Sequence, residues 1–161
     1  MLEKLRGFLA EMPILGEVVD EEMEAMDFDA TNSEALRNVR EEAQHTVCGR
    51  LKAEGQCYKV IFFTNYTLVC PTCDTKLTGA YTELNNPVSA KGMYLNEVLL
   101  HTFIEHDQLI LNEPNVDLSG NIDGARRVEI NLVELLKVLD RSKIPPEVER
   151  EVTAYFAAKS G

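Results

Sequence analysis

VIFFTNYTLVCPTCDTKLTGAYTEL, residues 60–84, decides how this chain is read. Val60–Phe63 is a four-residue apolar run of β-formers and predicts a buried strand. Thr64-Asn65 reads as a turn and Tyr66–Val69 as a second strand, together a hairpin that delivers Cys70 at its end. After Cys73, the stretch KLTGAYTEL alternates and carries Thr, Gly and Tyr, which predicts strand, although Leu77, Tyr81 and Leu84 also fit a helical stripe. An exit of this kind suits a knuckle at a hairpin better than a helix opening at the cysteines.

Helical patterns flank this stretch on both sides. Leu2, Leu5, Leu9 and Met12 recur at helical spacing over residues 1–12, and Pro13 ends the run. Residues 16–30 are acidic with scattered apolar side chains, a second short helix or a linker. Thr31 and Glu34 form a T-x-x-E capping box ahead of a helix over about 32–53, with Leu36, Val39, Ala43, Val47 and Leu51 on one face and Gly55 as its stop. Asn85-Asn86-Pro87 marks a turn. Residues 93–106 read as a helix with Leu95, Val98, Leu99 and Phe103 inward. Residues 112–125 read as loop or loop plus hairpin, and Arg127–Ile130 as a short strand. Asn131 caps a helix over 131–140 with Glu134 three residues on, and a last helix spans 146–159 after Pro145-Pro146.

The expected fold class is therefore α+β: a small antiparallel hairpin or meander over about 57–84, packed by helices at about 32–53, 93–106, 131–140 and 146–159. The expected division is a helical, acidic N-terminal segment at 1–30 and a single α+β domain at 31–161.

Composition narrows the function classes. Of 161 residues, 45% are hydrophobic and 27% charged, which fits a globular chain. The net charge of −11 opposes binding to nucleic acid or to an anionic membrane, since both need a basic patch. Residues 1–50 hold twelve Asp/Glu against five Lys/Arg; a solvated face accounts for this, and a basic protein partner is compatible with it. No apolar stretch approaches the roughly 18–20 residues of a membrane span. Glu3, Lys4, Arg6 and Glu11 interrupt the N-terminus, so a signal peptide is not expected. The expected compartment is the reducing cytoplasm, where four cysteines favour free thiols, metal or redox chemistry over disulfides.

Cys70 and Cys73 can grip one tetrahedral ion from a tight turn whose amides point at the sulfurs. CPTCDTKL resembles the knuckle of zinc-ribbon proteins, often C-P-x-C-G-x-x-L, with Asp74 where Gly is usual. The resemblance covers residues 70–77 and implies one zinc ion. His45 and Cys48, in HTVCGRL, echo the knuckle and are the preferred remaining ligands, because residues three apart share a helix face. Cys57, His101 and His106 are the other candidates. The two histidines project about 140° apart on a regular helix.

The same cysteines allow a redox alternative, with Cys70 attacking and Cys73 resolving. VIFFTNYTLVCPTC superficially resembles a peroxiredoxin segment, through Thr67 three residues before Cys70. A thioredoxin-like layout is also arguable, with Pro114 in place of that family's cis proline. Asn115–Asp123 mimics the start of a calcium-binding EF loop, but Arg126 stands where a bidentate Glu is needed. The preferred expectation is a non-enzymatic zinc-binding domain with a structural site and a protein-interaction or regulatory role. The alternative is a thiol oxidoreductase.

Overall fold

Tyr58–Val69 forms a single strand, β1, where the sequence predicts two strands around a Thr64-Asn65 turn. Its antiparallel partner β2 (Lys76–Asn86) runs alongside and pairs with β1 on both sides of the expected turn, so the chain does not fold back there. Register is regular from Tyr58↔Asn85 to Phe62↔Tyr81. It then shifts around Phe63 and resumes at Leu68↔Leu77 and Val69↔Lys76. The expected turn survives only as this irregularity in the ladder. In this computed structural model, residues 1–116 and 122–160 are described. The EF-like stretch falls largely on 117–121, outside the described residues.

β3 (Lys91–Asn96) completes a sheet of order β1-β2-β3. The helix predicted from residue 93 begins only at Glu97, as α4 (Glu97–His106). Asn96 is the reason: its side-chain oxygen accepts from the amides of Val98 at 2.9 Å and Leu99 at 3.2 Å. A cap there starts the helix and leaves Met93–Leu95 to pair with β2. β4 (Ile110–Val116) and β5 (Ile122–Glu129) form a separate antiparallel pair. α5 (Leu132–Leu139) follows its Asn131 cap, and α6 (Pro146–Ser160) ends the described chain.

The N-terminal side holds α1 (Glu3–Glu11), α2 (Leu15–Glu24) and α3 (Ser33–Glu54). The cap of α3 is Asn32 and not the expected Thr31. The Asn32 oxygen accepts from Glu34 and Ala35, both at 3.1 Å, while the Thr31 hydroxyl is taken by Asp29 at 2.6 Å. Gly55 ends α3 as expected, at φ 67°, a left-handed conformation that costs glycine little.

The main core joins Leu5 and Leu9 of α1 to Leu84, Phe103, Leu135, Leu139 and Val152. A second cluster pairs Val19 and Met23 of α2 with Ala43, Val47 and Leu51 of α3. Lys59 ties the end of α1 to β1: its amide donates to the Pro13 carbonyl at 2.8 Å and its buried ammonium to the Leu9 carbonyl at 3.0 Å. The result is the α+β class read from the sequence, six helices with a three-stranded and a two-stranded antiparallel sheet among the described residues. None of these helices is long and apolar enough to cross a membrane.

Candidate metal centre

The β1–β2 connection is a closed six-residue turn. The Cys70 amide donates to the Thr75 carbonyl at 3.0 Å, and the Asp74 amide returns to the Cys70 carbonyl at 2.9 Å. The Thr72 amide donates to the Cys70 sulfur at 3.4 Å, the amide-to-sulfur bond expected of a thiolate-binding knuckle. Asp74 sits at φ 60°. The position where zinc-ribbon knuckles carry glycine is thus left-handed here too, and Asp is among the few non-glycine residues that tolerate it.

α4 supplies the other half of the centre. One ligand atom from each of Cys70, Cys73, His101 and His106 lies within 4.8 Å of all the others. A tetrahedral ion with bonds of about 2.3 Å to sulfur and about 2.0 Å to nitrogen sets its ligand atoms about 3.3–3.8 Å apart. The Cys73 sulfur and His101 Nε2 already stand at 3.3 Å, so closing the set asks for small side-chain movements. Two thiolates and two imidazoles around a divalent cation sum to zero charge, which suits a partly enclosed site.

The two histidine rings meet edge to face, with centroids 5.5 Å apart, in spite of the divergence expected from helix geometry. That divergence describes Cβ directions and not where imidazoles end. His106 is also the last residue of α4, with Asp107 turning the chain left-handed at φ 54°, so no further turn confines its ring. His106 Nε2 is buried and makes no hydrogen bond. A buried polar atom without a partner is rare and calls for a ligand or a structural reason.

Cys70 is fully buried and Cys73 is exposed. The Thr75 hydroxyl, 2.9 Å from the Cys73 sulfur, is the main cause that pulls this thiol down to about 6. His101 adds to the effect, and the Thr75 amide and the nearby His106 ring extend it. At neutral pH Cys73 is therefore a thiolate, the form a metal requires.

The partners preferred from sequence lie elsewhere. His45 and Cys48 line a cavity of about 450 Å³ with Tyr58, Asn85 and Pro87. Tyr58 pairs with Asn85 at the far end of the hairpin from Cys70. Twelve strand residues, on the order of 30 Å or more, intervene. The H-x2-C echo was local likeness without proximity. Cys57 is buried in the main core, where burial, and next Asp140, push its thiol up.

The redox alternative fares differently from its sequence form. Cys70 has no access for attack, so the exposed thiol of the pair is Cys73. A strand and not a helix follows the cysteines, and Pro114 belongs to the β4–β5 pair. The signal for the pair that the structure brings to the knuckle was present in the sequence. C-x2-C is followed by H-x4-H after a spacer of 27 residues, and that spacer is filled by β2, β3 and the start of α4.

Comparison with known proteins finds no matching family model, and neither curated proteins nor solved structures give a significant match, so the centre is read from its own side chains.

Proposed function

We propose that this chain is a zinc-binding domain in which Cys70, Cys73, His101 and His106 hold one structural zinc ion, clamping the β1–β2 turn to the end of α4. The observation that carries the reading is the convergence of four ligand atoms from two distant segments within 4.8 Å. The orphaned His106 nitrogen and the left-handed Asp74 support it. Mixed sulfur and imidazole donors in a tetrahedral set favour zinc over calcium or magnesium, which prefer oxygen. Four protein ligands leave no open position for substrate, so the ion acts on stability and not as a catalyst. The domain is then non-enzymatic and works through a protein-binding surface.

Elemental analysis of freshly purified protein, paired with a free-thiol count, tests this. One zinc per chain with two masked thiols is expected. Cobalt substitution should give the intense visible bands of a tetrahedral sulfur-nitrogen site. Metal-free protein whose Cys73 alkylates rapidly would overturn the reading in favour of a dithiol.

A further inference from the structure

The solvent face of the three-stranded sheet carries an aromatic cluster around a carboxylate. Phe62 stands opposite Tyr81, and Glu83 stands opposite Tyr94, so all four side chains share one face. The Phe62 and Tyr94 rings lean together across the sheet, with centroids 6.0 Å apart and planes at 46°. Their exposure is high for such residues: 44% for Phe62, 50% for Tyr81 and 66% for Tyr94. Glu83 accepts from the Tyr94 hydroxyl and pushes that phenol up, which places negative charge within the cluster.

Exposed aromatics at this density mark contact surfaces. Ring faces and a carboxylate together favour a cation, and guanidinium is the cation that stacks and pairs at once. The next row of the sheet is Val60, paired with Glu83. Val60 also lines a groove of about 410 Å³ in which Glu17 and Asp20 are the acidic groups. Arg40, the cation there, is taken up by Asp20 at 3.4 Å. A second copy of the chain would bring Glu83 toward its own image and −11 toward −11. Charge therefore selects a basic partner over self-association.

We infer that Phe62, Tyr81, Glu83 and Tyr94 form a docking site for an arginine-bearing segment of a partner protein, with the guanidinium stacked on the aromatic rings and paired to Glu83. Apolar side chains beside that arginine would enter the groove next to Val60.

Titration calorimetry at low salt with the blocked peptide GRLRG, and with GELEG as its opposite, tests this. Saturable binding of GRLRG alone is expected. Glu83→Gln and Tyr94→Leu should each weaken it by at least about fivefold, the second because leucine keeps apolar area and loses the π face. Glu134→Gln, at an exposed carboxylate on α5, should leave it unchanged. All these positions are solvent-accessible, and unchanged melting curves confirm folding. No saturable binding would overturn the inference. So would equal losses in Glu83→Gln and Glu134→Gln, which signify general charge attraction. A dimer whose dissociation is shifted by Tyr94→Leu would assign the face to a second copy instead.

Discussion

The Cys73 sulfur lies 3.3 Å from His101 Nε2, across 28 residues of sequence. Neither residue reaches the other through its own element. β2 and β3 carry the chain away from the knuckle and back, and the Asn96 cap sets where α4 begins and so where His101 falls. The centre is therefore a property of the sheet register as much as of four side chains.

Removing the metal should cost global stability. A ligand present at about a thousand times its dissociation constant stabilises a fold by about 4 kcal/mol. For a chain of this size that is about 10 °C in Tm. Excess chelator should lower the melting temperature by that order, and Cys73→Ser should match the chelated protein. Cys48→Ser and His45→Ala should keep both stoichiometry and Tm. Calorimetry with and without chelator decides it.

His106→Leu should split two effects. With zinc it should lose the ion and melt earlier. Without zinc it should lose little, because the buried Nε2 it removes has no partner and this offsets the lost contacts of the ring with His101 and Cys73. Urea denaturation of both chelated proteins is the measurement. A clear loss of stability in the chelated variant would assign His106 a packing role instead.

Asp74 offers a test of the knuckle's shape. At φ 60°, Asp74→Gly should be neutral or stabilising by up to about 1 kcal/mol. Asp74→Val should destabilise by about 1–2 kcal/mol and weaken zinc, because a β-branched residue resists the left-handed region. Competition with a chromophoric chelator reads the affinities.

The metal-free protein should show a pH signature at Cys73. Its thiol ionises near 6 when folded, against an ordinary value of 9.0. Between those values the unfolded chain holds the extra proton, so stability rises with pH across that window. The contribution is complete above about 9 and is lost as pH falls through about 6. It is small, because Cys73 is exposed and solvent screens it. Chelated wild type should gain on chelated Cys73→Ser between pH 6 and 9, and alkylation of Cys73 should reach half its maximal rate near pH 6.

The fold was largely legible because periodicity and caps are local. Asn131 and Gly55 marked helix ends correctly. Asn96 did not, because the apolar residues before it suit a helix as well as a strand and only pairing with β2 separates the two. The centre was half legible for the same reason. Cys70 and Cys73 announce themselves within four residues, whereas His101 and His106 acquire meaning only when β3 returns the chain. His45 and Cys48 had the better spacing and the wrong end of the hairpin.

The closed turn at Cys70–Thr75 has its own hydrogen bonds and can form as soon as β1 and β2 meet. By itself it offers two sulfurs and no imidazole. The imidazoles of His101 and His106 lie beside it only because β3 pairs with β2 and α4 runs on to its final residue. If zinc binds as proposed, the full complement of four exists only in a finished meander, so the ion would act as a checkpoint on assembly, held weakly by two sulfurs alone and firmly by all four side chains.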